Sequence, residues 1–199
     1  MTRNLPTSAA RIGDDIDTLA TLTDPGMPYT RRAFTPRFSD GRAWLTKRFA
    51  EAGLETRIDA AGNLIGRRAG KMGGATIMLG SHSDTVPNGG RFDGIAGVVA
   101  ALEVARVLTE LGAELRHDLE IVDFLAEEVS IFGVSCIGSR GMVGLLPGES
   151  ALALGAASIR QRQMVASSGH VHQHTGRRGV GRDPRWTTCQ RPILPAKKC

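Results

Sequence analysis

The order of apolar and polar positions predicts alternating helices and short strands through residue 146 and no pattern after it. DDIDTLATL (14–22) predicts a short helix, and TDPGMPYTRRAFTP reads as a loop punctuated by Pro and Gly. Ser39-Asp40 stands where a cap would, before a helix through GRAWLTKRFAEAGL. There Trp44, Leu45, Phe49 and Leu54 fall near helical spacing and Gly53 lies near the end. ETRIDAAGNLIGRR predicts two short strands around an Ala-Gly-Asn turn. ATIMLGSH is a compact apolar run that suits a buried strand. Residues 94–111 predict a long apolar helix with Val98, Leu102, Ala105 and Leu108 on one side, and DLEIVDFLAEE is the next strand. Strand, helix, strand in that order predicts a right-handed βαβ unit with parallel pairing. Ser139 to Leu145 opens a further helix. The expected fold class is α/β, a mostly parallel sheet flanked by helices.

From about Pro147 the periodicity fails. GESALALGAASIRQRQM is still compatible with a helix, but the Arg-, Gly-, Pro- and His-rich remainder follows neither period and shows no repeat. Charge divides at nearly the same place. From Ile159 onward there are nine Lys/Arg and one acid, Asp183, which leaves sixteen Lys/Arg and nineteen acids before it. The whole-chain charge of +5 is therefore a body of −3 and a tail of +8. The chain is expected to comprise an ordered unit at 1–146 and an atypical basic tail at 147–199.

Composition narrows the class. At 199 residues, 41% hydrophobic, the chain can build one domain with a real core. No window of about 18 apolar residues exists, so a membrane span is excluded from the expectations. MTRNLPTSAARIGDDIDTLA has no apolar h-region, and Cys136, Cys189 and Cys199 have no metal or redox spacing, so the cytoplasm is the default location.

The chemistry gathers in GSHSDTVPNGGRFDGIAG (80–97) and in Ala-Glu-Glu at 126–128. Ligands in open α/β sheets bind beyond the carboxyl ends of the strands. His82 follows one predicted strand, Glu127 and Glu128 follow the other, and Asp93 stands at the start of the intervening helix. Three segments thus bring an imidazole and three carboxylates to one sheet edge. Crowded carboxylates repel unless a proton or cation intervenes, and a divalent metal resolves the crowding. Nitrogen and oxygen donors suit zinc, manganese, cobalt or nickel alike. In this scheme His82 is a neutral ligand and Asp84 hydrogen-bonds it to fix its tautomer. Asp93 can bridge two ions, and one of Glu127 and Glu128 ligates while the other is the general base. Taken singly, a histidine at a strand end reads as structural, Asp93 as a helix cap, and Glu-Glu as uninformative.

GSHSDTVPNGGRFDG followed by FLAEEVSIFGVSCIGSRGMVG resembles the amidase, hydantoinase and carbamoylase branch of the M20 dinuclear metallohydrolases, over about residues 10–146. These include N-carbamoyl-L-amino-acid hydrolases, allantoate amidohydrolases and β-ureidopropionases. The resemblance implies a zinc-exopeptidase-like catalytic domain holding two divalent ions. It makes His82, Asp93 and Glu128 the metal ligands, with Asp93 bridging. It makes Glu127 the general base and Asp84 the residue behind His82. The implied reaction is hydrolysis of a linear amide-type C–N bond in a small molecule such as an N-carbamoyl amino acid, a ureido compound or allantoate.

The chain also departs from that pattern. Where the branch reads Gly-x-Arg-Phe after Glu-Glu, this chain has Val129-Ser130-Ile131-Phe132. The family's later His-x-Glu ligand, its last histidine, and the lid domain that forms its homodimer are not recognisable. His170, His172 and His174 stand in an unrelated GHVHQH cluster. The expectation is the N-terminal part of a catalytic domain, weakly active alone, with the reading frame lost between 147 and 165. Three alternatives remain: an M20 peptidase or aminoacylase, against which PNGGRFDG speaks; a non-catalytic metal-binding protein; and nucleic-acid binding by the tail. The last is disfavoured, because Trp186 is the tail's one aromatic residue.

Overall fold

The computed structural model describes residues 5–146; the expected tail, with His170, His172 and His174, lies outside the described residues. The first helix, α1 (Ala9–Thr21), begins five residues before the predicted start, because the Ser8 side chain accepts from the Arg11 N–H and caps it. The second, α2 (Pro36–Glu51), is capped by Thr35, with Pro36 in the first turn. Ser39-Asp40 is therefore inside the helix, and Thr-Pro was the true start signal. The predicted hairpin is β1 (Glu55–Ile58) and β2 (Leu64–Arg68), paired antiparallel. Then come β3 (Thr76–His82), α3 (Ile95–Glu110), β4 (Asp118–Phe124) and α4 (Ile137–Met142).

The sheet order is β1-β2-β4-β3. β3 and β4 pair in parallel around α3, as the βαβ reading requires, while β2 and β4 pair antiparallel. The α/β class and its flanking helices stand, but the sheet among the described residues is mixed rather than mostly parallel. The hairpin enters it beside β4, and a two-stranded hairpin can only be antiparallel. β3 is not the buried strand its composition suggested. Among the described residues it lies at the sheet's edge, and Ile77 is 55% exposed. Apolar β-branched content reports strand formation, not position in the sheet.

One cluster joins the three long helices to the sheet. Leu19 of α1, Leu45 and Phe49 of α2, and Val98 and Leu102 of α3 meet Leu64 and Ile121 there, with Leu79 of β3 packed against it. Val98, Leu102 and Ala105, predicted to share a face, are fully buried. Polar contacts tie α1 to α3. Glu103, 1% exposed, accepts from the Ser8 N–H at 2.8 Å and from Arg11 Nε at 2.7 Å, and Arg106 pairs with Asp15. No described helix is long and apolar enough to cross a membrane. A smaller cluster of Ala33, Phe38, Leu125, Ala126 and Ile137 lies under the loop that follows β4, where the predicted site residues stand.

Candidate metal centre

Parallel register sets His82, the last residue of β3, beside Phe124, the last of β4. Glu127 and Glu128 follow three and four residues later, so both strand ends deliver their groups to one edge. Asp93 arrives from the loop before α3. His82, Asp93 and Glu128 each offer a donor atom, and these atoms all lie within 4.8 Å of one another. Asp93 does not cap α3: Gly94 is the N-cap, at φ +66°, and no side chain bonds there. Gly94 has a different task. A Cβ built on it would overlap the His82 ring, so only glycine gives both the left-handed turn and the room for the imidazole.

The tautomer of His82 follows from its partner. Nδ1 lies 2.9 Å from the Asp84 carbonyl oxygen, which can only accept, so Nδ1 carries the proton and Nε2 is left for a ligand. The Asp84 carboxylate stands 3.5 Å from the same nitrogen. Asp84 thus stands behind His82 with both its backbone carbonyl and its carboxylate. Its carboxylate, 1% exposed, also accepts from the Glu127 N–H at 3.3 Å and the Glu128 N–H at 3.1 Å. Ala126 precedes these two at φ +50°. A left-handed residue turns successive N–H groups toward one concavity that takes an anion, and here the anion is Asp84. That conformation costs an alanine about 1–3 kcal/mol, retained where the two glutamates are aimed.

Glu127 is not one of the three clustered donors. Its carboxylate accepts from the Ser139 N–H at 3.0 Å and from the Ser139 hydroxyl at 2.9 Å. The chain 136–138 is zipped back along 125–127, with Cys136, Ile137 and Gly138 N–H groups donating to Glu127, Ala126 and Leu125 carbonyls. Asn63, fully buried, closes this joint by accepting from the Leu125 N–H at 2.9 Å and donating to the Gly138 carbonyl at 3.1 Å.

Beneath the donors lies a frame that the sequence reading missed. Between His82 and Asp84, the buried Ser83 donates its hydroxyl to Asp123 at 3.0 Å. Asp123 stands 3.3 Å from Arg42 Nε, and Arg42 also donates to the Gly62 and Asp123 carbonyls. Burial pushes Arg42 down and Asp123 up, and their mutual attraction opposes both shifts. Arg31 holds the Ser83 carbonyl from Nε at 2.9 Å. Asp123 carried one signal: a carboxylate inside an apolar strand must have a partner. Arg31, in a loop, carried none.

The electrostatics fit a cation. Burial acts on Glu128 first and Asp93's carboxyl next, and both push Glu128 above the usual carboxylate range. For His82 burial is the largest influence and lowers its pKa. The hydrogen bonds and charge of Asp84, with the charge of Asp93, outweigh it and push His82 up to about 9. One imidazole nitrogen and two crowded carboxylates form a group of N/O donors that could hold a divalent metal.

The chain is also similar to known proteins. A model of peptidase family M28 matches residues 63–160. The chain is 40% identical over 146 residues to an N-carbamoyl-L-amino acid amidohydrolase of Geobacillus stearothermophilus, covering 73% of this chain and 36% of that protein. It is 38% identical over 131 residues to a ureidoglycolate hydrolase of Oryza sativa subsp. japonica, covering 65% of this chain and 27% of that one. A crystal structure of a hydantoinase/carbamoylase family amidase from Burkholderia ambifaria superposes with a TM-score of 0.75 at 36% identity, over 80% of this chain and 42% of that chain. The chain spans about a third of the length of the curated relatives it matches. In sequence and in fold, then, this chain is similar to the hydantoinase/carbamoylase-family amidases over the part of them that it matches.

Proposed function

We propose that His82, Asp93 and Glu128 hold divalent metal and form part of a hydrolytic centre for linear amide-type C–N bonds. The observation that carries this reading is the three donors within 4.8 Å, beside Glu127, in a relative of amidases. A bound cation supplies Lewis acidity toward a carbonyl oxygen and acidifies water. The remaining work belongs to the chain. His82 presents Nε2 because Asp84 holds Nδ1. Asp84 fixes the Glu127–Glu128 backbone as well, so one carboxylate orients both walls of the site. Glu127, oriented by Ser139, is the general base: it accepts the proton of the attacking water at a carboxylate oxygen and returns it to the departing nitrogen.

The proposed substrates are N-carbamoyl amino acids or ureido compounds, the class named for the relatives. The reading includes the M20 assignment, a two-ion site bridged by Asp93 in the complete enzyme, and a cytoplasmic location. The 199 residues contain no His-x-Glu segment to complete the ligand set, so we propose that this chain alone is slow. The test is ammonia release from an N-carbamoyl-L-amino acid by the zinc- or manganese-loaded chain, against cleavage of a dipeptide. A slow, chelator-sensitive release that Glu127→Gln abolishes is expected. Faster dipeptide cleavage, or release unaffected by Glu127→Gln, would overturn the reading. Tight metal binding with no release at all would favour the non-catalytic alternative.

A further inference from the structure

We propose that Arg31 is a positioning residue of the metal centre, acting through Ser83 to set the spacing of His82 and Asp84. The proposal rests on the metal-site reading above. Arg31 is 2% exposed and comes from the loop between α1 and α2, far in sequence from the donors it serves. Its Nε donates to the Ser83 carbonyl at 2.9 Å, and Nη1 donates to the Leu19 carbonyl at 2.5 Å and the Leu22 carbonyl at 3.2 Å. One guanidinium therefore anchors the residue between His82 and Asp84 to the end of α1. The Arg31 backbone is stitched to the same segment. Its N–H donates to Thr85 Oγ1 at 2.8 Å, and its carbonyl accepts from the Thr85 N–H at 3.1 Å. Thr30 and Asn88 extend the seam, with the Asn88 N–H donating to Thr30 Oγ1 at 2.8 Å.

Ser83 is thus gripped from two sides, by Arg31 on its carbonyl and by Asp123 on its hydroxyl. A rotation of that peptide would carry the His82 ring and the Asp84 carboxylate out of register together. Among the described residues Arg31 makes no hydrogen bond or ion pair to the three donors, and its side-chain link to them runs through this peptide. The charge is also informative. Arg31 makes no side-chain ion pair among the described residues: Nε and Nη1 donate to carbonyls and the buried Nη2 has no partner there, yet the charges that act on it are those of Asp123 and Asp84. A planar fork can reach three carbonyls in two directions, whereas a lysine ammonium cannot. Burying a cation in this way is costly, and a loop needing only closure could use neutral groups.

The test uses the 199-residue chain with His170, His172 and His174 changed to Gln, so that zinc uptake by that cluster does not count. Zinc affinity and the cobalt(II) absorption spectrum are measured for this parent, for Arg31→Gln and Arg31→Lys, and for Leu45→Ala, a core change remote from the donors. Circular dichroism establishes that each is folded. Arg31→Gln and Arg31→Lys are expected to weaken zinc binding by about 10- to 100-fold, the range for residues behind a metal ligand, and to shift the cobalt bands. Leu45→Ala is expected to lose stability and keep its affinity and its bands. If both Arg31 variants fail to fold, Thr85→Val decides, because it removes two hydrogen bonds of the seam, from the Arg31 N–H and to the Tyr29 carbonyl; it should weaken zinc by about fivefold. Arg31 variants, or Thr85→Val in their place, that match the parent in affinity and spectrum would overturn the proposal. So would Leu45→Ala losing as much affinity as they do. A parent that binds no zinc would sink the metal-site reading itself, a result distinct from unchanged Arg31 variants.

Discussion

At the carboxyl ends of β3 and β4 the protein stacks two layers of charge. The inner layer is Asp84 and Asp123 with Arg31 and Arg42, all buried; backbone N–H groups donate to Asp84, while one oxygen of Asp123 accepts from the Ser83 hydroxyl and lies 3.3 Å from Arg42 Nε as an ion pair. The outer layer is His82, Asp93 and Glu128, and among the described residues neither of its carboxylates has a Lys or Arg partner. The inner layer resolves its charge within the fold. The outer layer leaves two carboxylates facing each other, a repulsion that only a proton or a cation relieves. Stability and ligand binding should therefore respond separately to changes in the two layers.

The largest effect is expected within the inner layer. Arg42→Met leaves Asp123 buried and unpaired, and a broken buried pair costs about 3–5 kcal/mol. Urea unfolding would read this as a lower midpoint at unchanged slope. Next is an outer-layer change whose signature is opposite. Asp93→Asn should leave unfolding free energy within about 0.5 kcal/mol, yet weaken zinc by more than the roughly 100-fold upper range of residues one step removed. A matching loss of stability in calorimetry would erase the distinction between layers. Gly94→Ala sits between them, since the added methyl meets the His82 ring in a backbone conformation that disfavours it. A stability loss of about 1–3 kcal/mol together with weakened zinc is expected from the same two measurements.

The smallest effect is a slope with pH. Because His82 is pushed up to about 9, a ligand at Nε2 must displace a proton below that pH. Zinc affinity should rise by about tenfold per pH unit toward 9 from this group. The metal-free chain behaves in the opposite sense. A histidine raised from 6.5 to about 9 stabilises the fold fully below 6.5, and that contribution is lost as pH rises through about 9. Thermal unfolding of the metal-free chain and of His82→Ala, compared across this window, would expose the term as a converging difference.

How much of this was legible in the sequence follows the same division. The outer layer was readable, because His82, Asp93 and Glu128 follow or precede predicted elements at ends that topology must bring together. The hairpin and the β3–α3–β4 unit were readable from period and turn chemistry. The inner layer was not. Arg31 and Arg42 act through contacts 52 and 81 residues distant in sequence, to Ser83 and Asp123, and no local period encodes such a reach. Nor did composition reveal that β3 lies at the edge of the described sheet, since strand propensity is indifferent to which neighbour a strand receives. Ser139 was likewise hidden, because it meets Glu127 only after Ala126 and Cys136, at φ +50° and +51°, reverse the chain.

The most direct measurement is thermal unfolding of the 199-residue chain with and without saturating zinc, in parallel with His82→Ala. A ligand that binds only the folded state raises the midpoint. Zinc should raise the midpoint of the unaltered chain by clearly more than that of His82→Ala; uptake by His170, His172 and His174 is common to both and cancels in the comparison. An equal shift in the two, or no shift in either, would contradict a metal centre built on His82, Asp93 and Glu128.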